Sequence, residues 1–335
     1  MTARPIRVAV VGVGEFGRNH VRVWRETEGA ELVGVMDTDL ARASQVAAEF
    51  GTRVLNDIDA LTVERVDAAS LAVPTTEHSR IGCALLAAGI DVLVEKPMAA
   101  SLGEADQLID AACRSGRVLQ VGHIERFNAA VTAAQKVVSN PMFFEVHRLG
   151  IFTPRSLDID VVYDVMIHDL DVLLALVDAE VVDLRAVGIP VITERIDIAH
   201  ARVEFSTGTV ANLTASRVST ERVRKMRFFQ EHEYISLDFT RQDALRVRVR
   251  PADPQPEIEF EKLLTTPEEP LRAELRSFLE CVRTRHKPVV DGDAGRRALE
   301  LADRVMGGIL DHARRVQVMS GASDARRAFT PQETR

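Results

Sequence analysis

The feature that most constrains this chain lies close to its start. Ile6 to Val11 is an apolar, β-branched run that breaks into Gly12-Val13-Gly14-Glu15-Phe16-Gly17 and continues as a helix-like segment from Arg18 onward. In a strand that enters a helix this way, the three glycines have separate tasks. Gly12 lets the chain turn, Gly14 lets the backbone approach a pyrophosphate, and Gly17 lets the helix lie close to the strand. The unpaired N–H groups and positive dipole end of that helix then face the phosphates, which makes Glu15 and Phe16 candidate contacts as well. A second apolar run, Glu31 to Met36, ends in Asp37, twenty residues after Gly17. An acid at that distance can accept both hydroxyls of an adenosine ribose. The bland alternative is a glycine-rich turn and an unrelated surface aspartate, and the order strand, turn, helix, strand, acid opposes it. Thr38 rather than a basic residue follows Asp37, which favours NAD over NADP; Arg42 is the nearby basic residue that bears on that choice.

The same rhythm continues to about Phe127. Strands are predicted at residues 6–11, 31–36, 68–73, 91–94 and 118–121, and helices at about 17–26, 40–50, 77–88 and 102–115, with shorter structure near 54–61. Near-continuous apolar strands alternating with helices describe a doubly wound parallel sheet covered on both faces, a Rossmann domain, expected over residues 1–127. Ligands in such sheets sit at the carboxyl ends of the strands. The informative residues are therefore Gly12 to Gly17, Asp37, Pro74 to His78, Glu95-Lys96-Pro97 and Gly122-His123. Beyond Asn128 a strand at 142–149 precedes an apolar helix at 159–177, followed by long alternating segments at 181–189, 196–205, 209–217, 226–230, 233–239 and 245–249. Gly208 marks a hairpin between two of them. This is an α/β domain with an open, mostly antiparallel sheet, expected over 128–315. Pro251, Pro254 and Pro256 read as a loop. Helices are predicted at 271–285 and 294–314, the last able to fold back on the first domain, and residues 316–335 read as a disordered tail.

Composition excludes more than it selects. A formal charge of −8 and the lack of basic clusters interleaved with aromatics argue against a nucleic-acid partner. No apolar run approaches the roughly twenty residues that span a bilayer, and none resembles a signal peptide. Cys83, Cys113 and Cys281 are scattered, without a C-x-x-C, so neither a disulfide framework nor a thiolate metal site is indicated, and a cytoplasmic protein is expected. Only five of the 42 basic residues are lysine, so a lysine at a strand end stands out. Lys96 is such a residue, delivered between Glu95 and Pro97 to the nicotinamide end of the expected cofactor. Its compact ammonium can hydrogen-bond a reacting hydroxyl and stabilise negative charge developing on oxygen. The plainer view, a surface lysine, is opposed by lysine's scarcity and by a proline that fixes the turn.

The predicted helix at 159–177 is apolar almost all round, yet Asp160, Asp164, His168 and Asp171 recur at spacings of four, four and three, on one stripe. Short acids and a histidine, with no long snorkelling side chains, suggest a narrow polar cleft. There Asp164 can bond one ring nitrogen of His168 and leave the other free to take a proton. A satisfied core histidine with helix-terminal aspartates is the alternative, and a divalent metal on Asp164, His168 and Asp171 is a further one.

The glycine turn, Glu95-Lys96-Pro97 and Asp164-x-x-x-His168 together resemble the Gfo/Idh/MocA oxidoreductases, over nearly the whole chain. The resemblance implies a Rossmann domain followed by an α/β domain whose open sheet serves substrate binding and homo-oligomer contacts, as a dimer or tetramer. It implies that Lys96 and His168 are catalytic, that Asp164 supports His168, and that Pro74 and His78 lie near the cofactor. Val73 stands where that family commonly has threonine, and the alternative for His78 is a helix-start histidine. The stretches Val121 to Asn128 and Asp158 to Asp169 are similar to a branch of the family that oxidises C3 of UDP-N-acetylglucosamine. This implies a nucleotide-sugar substrate, a 3-keto product and a downstream aminotransferase. His123 joins the expected substrate contacts, with Arg126 and Arg155 as candidates for the diphosphate because guanidinium groups suit bidentate phosphate contacts. Arg217, Arg222 and Arg224 are further candidates. Rival expectations are oxidation of a free polyol or sugar such as inositol, a non-catalytic regulator that senses NAD or sugar, and a cofactor that stays bound between turnovers.

Overall fold

The computed structural model describes residues 4–153 and 159–320. They form two compact units, residues 4–128 with 268–299, and residues 129–153 and 159–267 with 300–320. No helix among the described residues is long and apolar enough to cross a membrane.

The first unit opens with strand β1 (Ile6–Val11), helix α1 (Glu15–Glu26), β2 (Ala30–Met36), α2 (Leu40–Phe50), β3 (Arg53–Val54) and the short α3 (Ile58–Val63). There follow β4 (Ala68–Leu71), α4 (Thr75–Ala87), β5 (Asp91–Glu95), α5 (Leu102–Ser115), β6 (Leu119–Gly122) and a 3-10 turn at Ile124–Phe127. The six strands run parallel in the order β3-β2-β1-β4-β5-β6. The chain starts in the middle of the sheet, builds outward on one side, then crosses back beside β1 to build the other. That reversal, between β1 and β4, is where sheets of this kind open a crevice for a dinucleotide. β4 and β5 are buried along their whole length, as expected for strands covered on both faces. Asp39, Asp57 and Ser101 cap α2, α3 and α5 by accepting backbone N–H groups.

The second unit begins with α6 (Ala129–Gln135) and β7 (Phe143–Leu149). A π-helical turn at Val162–Met166 runs into α7 (Ile167–Leu176). Then come β8 (Val181–Ile189), β9 (Ile198–Phe205), β10 (Val210–Ser216), β11 (Val223–Gln230), β12 (Glu233–Asp238), β13 (Asp243–Arg250) and β14 (Glu257–Lys262). The order is β14-β13-β12-β11-β7-β10-β9-β8, antiparallel except where β7 pairs with β10. One face buries Phe144, Val146, Leu213, Met226, Phe228, Ile235 and Leu237. On the other, a row of directly opposed residues, Val210, Phe143, Phe229, Tyr234, Val247 and Phe260, crosses six strands. Gly208, at φ +82°, makes the expected hairpin between β9 and β10. The open, mostly antiparallel sheet matches expectation. The prolines at 251, 254 and 256 form the expected loop, but no signal in the sequence marks β14, where residues 257–262 pair along β13.

After β14 the chain returns to the first unit as α8 (Pro270–Thr284), which the sequence assigns to the second domain. The apolar side of α8, Leu271, Leu275, Phe278, Leu279 and Val282, joins the core formed by Val21, Trp24 and Val35. Phe278 meets the Trp24 ring edge-on at 6.4 Å, and the indole N–H donates to Ser70 Oγ at 2.8 Å. Burial of that side against α1, rather than any local signal, decides where the helix belongs. The last helix, α9 (Gly292–Ser320), has its first turns in the first unit and the rest in the second. It runs beyond the predicted end at Arg314 into the expected tail, of which residues 321–335 lie outside the described residues.

Candidate active site

The glycine turn behaves as three different positions. Gly12 sits at φ +85°, where a Cβ would stand 2.5 Å from Ala72 O. A Cβ on Gly17 would stand 1.9 Å from Gly12 O. Both glycines are required by the chain's own backbone. Gly14 differs: it lies at φ −60° and ψ −168°, and no atom of the described residues stands within 4 Å of where its Cβ would project. Gly14 is also the N-cap of α1, with no side-chain cap on the first turn that carries Glu15, Phe16 and Gly17. Open space over a bare helix start fits a pyrophosphate.

Asp37 ends β2 beside this turn. Its carboxylate accepts the Val13 N–H at 2.8 Å and the Asp39 N–H at 2.9 Å, and Arg42 donates to both oxygens, at 2.8 and 3.3 Å. Burial pushes the carboxyl up, but the Arg42 guanidinium and the two backbone N–H groups outweigh it and hold Asp37 below its ordinary value. Asp37 is thus ionised and anchored to the glycine turn, as a ribose acceptor requires. Arg42 covers the same oxygens, a link not visible in the sequence.

At the exit of β5, every residue from Asp91 to Ala99 is buried except Lys96. Glu95 points inward, with Oε1 3.0 Å from His20 Nε2 and Oε2 accepting the Lys96 N–H at 3.3 Å. The Lys96–Pro97 peptide is cis. Pro74 begins α4 as its N-cap. His78, expected at the cofactor, is buried, with Nδ1 2.9 Å from Pro97 O and Nε2 2.9 Å from Val73 O. Its ring is engaged by backbone rather than presented to a ligand. Burial holds its imidazole below the ordinary value, against the opposing influence of those carbonyls and Glu95. At the exit of β6, His123 is buried and Arg126 is half-buried, donating to the Val289 carbonyl at 3.3 Å. Arg155 lies outside the described residues.

In the second unit the aspartate stripe is divided. The Ile167 N–H bonds Val162 O, five residues back, so Asp164 sits inside a π turn while His168 opens the α helix. Asp164 and His168 remain half-buried, one turn apart, whereas Asp171 is buried. Asp160 accepts the Ile196 N–H at 2.8 Å. The Tyr163 hydroxyl donates to Asp303 at 2.7 Å, which with burial raises its pKa well above the phenolic range. Next to His168, Asp169 forms a buried bidentate pair with Arg148 at 2.7 and 2.8 Å, which the sequence did not reveal. Among the described residues no group of three or more His, Cys, Asp or Glu side chains could hold a metal ion. Arg217, a diphosphate candidate, donates instead to the carbonyls of Ile159 and Ile196 and lies 3.3 Å from Asp197; Arg222 and Arg224 are exposed at the start of β11.

A bare helix start after a glycine turn, an anchored carboxylate at the end of β2 and a lysine at the end of β5 are the arrangement of a dinucleotide-dependent oxidoreductase. Residues 6–123 match the family model described as an oxidoreductase family with an NAD-binding Rossmann fold, and residues 123–235 match the GFO/IDH/MocA C-terminal domain. The chain belongs to the Gfo/Idh/MocA oxidoreductase family, and its cofactor is a nicotinamide dinucleotide. It is 41% identical over 305 residues to the UDP-N-acetylglucosamine 3-dehydrogenase of Acidithiobacillus ferrooxidans, covering 90% of this chain and 96% of that protein. A solved structure of that enzyme, GnnA, superposes with a TM-score of 0.84, covering 90% of this chain and 97% of the other. Inositol 2-dehydrogenase from Rhodococcus erythropolis is 32% identical over 192 residues, 54% of this chain and 56% of that one. The aldose-aldose oxidoreductase of Caulobacter crescentus, at 20% identity with a TM-score of 0.79 over 92% of this chain and 98% of the other, shares the fold.

Proposed function

We propose that the protein oxidises C3 of UDP-N-acetylglucosamine to the 3-keto nucleotide sugar with NAD. The observation that carries this is the 41% identity, over 90% of the chain, to a protein named for that reaction. In this reading Lys96 hydrogen-bonds the reacting oxygen and stabilises its negative charge, His168 takes the hydroxyl proton, and Asp164 orients His168. Bound NAD supplies the acceptor for the hydride leaving C3. The glycine turn, with Glu15 and Phe16, receives the pyrophosphate and Asp37 the ribose hydroxyls, which favours NAD over NADP. Arg126 and Arg155 are assigned to the sugar-nucleotide diphosphate, and His123 to a further substrate contact. A 3-keto sugar is chemically suited to an aminotransferase as the next enzyme. The apolar row from Val210 to Phe260 supports a homo-oligomer in which a second copy covers that face.

The test mixes protein, NAD and UDP-N-acetylglucosamine and follows NADH absorbance, with NADP, free N-acetylglucosamine and inositol in parallel. Turnover is expected with the nucleotide sugar and NAD and to be lost in Lys96→Ala and His168→Ala. Full turnover in both variants refutes the catalytic roles. Faster turnover on inositol than on the nucleotide sugar refutes the substrate, and is the outcome toward which the inositol 2-dehydrogenase similarity points. NAD binding without turnover on any sugar identifies a sensor instead.

A further inference from the structure

Lys96 leaves β5 in a turn whose two flanking residues are each held by a buried histidine from a different helix. On one side is His20 of α1, whose Nε2 lies 3.0 Å from Glu95 Oε1, while Glu95 Oε2 accepts the Lys96 N–H. Gly122 of β6 leaves the carboxylate its room: a Cβ there would stand 2.6 Å from Glu95 Oε1 and 2.9 Å from Oε2. On the other side is His78 of α4, whose Nδ1 lies 2.9 Å from Pro97 O and whose Nε2 lies 2.9 Å from Val73 O. That second carbonyl belongs to the end of β4, so His78 spans two neighbouring strand exits.

Both rings are almost wholly buried, His20 at 0% and His78 at 1% exposure, so neither touches a substrate directly. Burying an imidazole is costly unless hydrogen bonds offset it. Among the described residues His20 Nδ1 has no hydrogen-bond partner, and the Glu95 contact is the polar interaction they offer to offset burial of the ring. An apolar side chain would fill the same space at lower cost but would leave the buried Glu95 carboxylate without this donor.

We propose that His20, through Glu95, and His78, through the Pro97 carbonyl, are positioning residues that fix the backbone on both sides of Lys96 and so set where its ammonium stands. This rests on the reading of Lys96 as the group that holds the reacting hydroxyl. A lysine stem is flexible, so the place and tilt of its backbone decide which region the ammonium samples. A displacement of about 1 Å at a reacting group costs roughly a hundredfold in rate.

The geometry supplies a discriminating test, because a glutamine amide nitrogen reproduces a histidine Nε2 and an asparagine amide nitrogen an Nδ1. His20→Gln keeps the donor to Glu95, whereas His20→Asn and His20→Leu lose it. His78→Asn places an amide donor toward Pro97 O, whereas His78→Gln places it toward Val73 O instead. Relative to the natural protein, kcat is expected to fall about thirtyfold or more in His20→Leu, His20→Asn and His78→Gln, with KM for the sugar nucleotide changed less than about threefold. His20→Gln and His78→Asn should each recover most of the lost rate. A second readout is independent of catalysis: the rate at which an amine-acylating reagent labels Lys96, resolved by peptide mass spectrometry, should shift in the same three variants. Natural labelling rates and natural kcat in those variants overturn the proposal. So does a loss that tracks melting temperature and is the same for Gln and Asn at each site. Full turnover in Lys96→Ala would sink the underlying reading of Lys96 alone, and the labelling rates then decide the positioning question by themselves.

Discussion

Gly14→Ala tests whether this glycine serves the cofactor rather than the fold. The position has φ −60° and ψ −168°, a backbone open to any L-residue, and no atom of the described residues lies within 4 Å of the added methyl. The folded protein should therefore lose little: exchanging Gly for Ala at an N-cap costs up to about 1 kcal/mol, which for a domain of this size lowers Tm by roughly 2–4 °C. The methyl would instead occupy the space over the start of α1, holding a pyrophosphate away from the first-turn N–H groups. Losing charge-assisted contacts there costs about 2–3 kcal/mol, a roughly 30- to 150-fold rise in Kd. Fluorescence titration with NADH gives the affinity and calorimetry the stability, on the same preparation. If the alanine variant binds NADH as tightly as the natural protein, the pyrophosphate is not held here. If its Tm drops by more than about 8 °C, Gly14 is a packing glycine and the distinction drawn from the empty space is wrong.

Gly17→Ala is the counterpart: its methyl would meet Gly12 O, a backbone atom, at 1.9 Å, so a loss of at least about 3 kcal/mol and a large fall in Tm are expected even without cofactor. A natural melting curve would contradict the packing described for α1 and β1. Arg42→Ala removes the guanidinium that now covers Asp37, and should lower KM for NAD while widening the preference for NAD over NADP, measured as the ratio of kcat/KM; a shift toward NADP would mean that Arg42 opposes the 2′-phosphate rather than competing for the ribose acceptor. For His78 the folded pKa is depressed, mainly by burial, so the unfolded chain binds the extra proton first. Its stabilising contribution is then complete above the unfolded value, about 6.5, and is lost as pH falls through the lower folded value. Between pH 7 and 5 the Tm of the natural protein should fall more steeply than that of His78→Asn, and equal slopes would show that His78 does not titrate this way.

Much of the first unit was legible because its signals are local. A β-branched run, three glycines and an acid twenty residues on all lie within one stretch of chain, and Lys96 stood out by its place at a strand end in a lysine-poor chain. His20 was not legible. On the inner side of α1 it occupies a core position, and only the approach of β5 makes Glu95 its partner. The aspartate stripe was read with α-helical spacing, but the π turn at 162–166 uses the same residue types with different hydrogen bonds. Arg217 was one of several candidate diphosphate contacts in the sequence, and its two carbonyl partners, Ile159 and Ile196, lie too far along the chain to be read from it.

The sequence by itself determined the architecture: a doubly wound parallel sheet, then an open antiparallel one, with a glycine turn made for a dinucleotide. Hydrophobic period and turn chemistry act over a few residues, so they can be read along a line. The tertiary structure decided which polar groups share a space. It covered Asp37 with Arg42, turned His78 onto two carbonyls, set His20 against the carboxylate beside Lys96, and returned α8 to the face of α1. Those pairings join residues up to about 250 positions apart, and they exist only because burying apolar surface brings their elements together and leaves each buried polar atom in need of a partner.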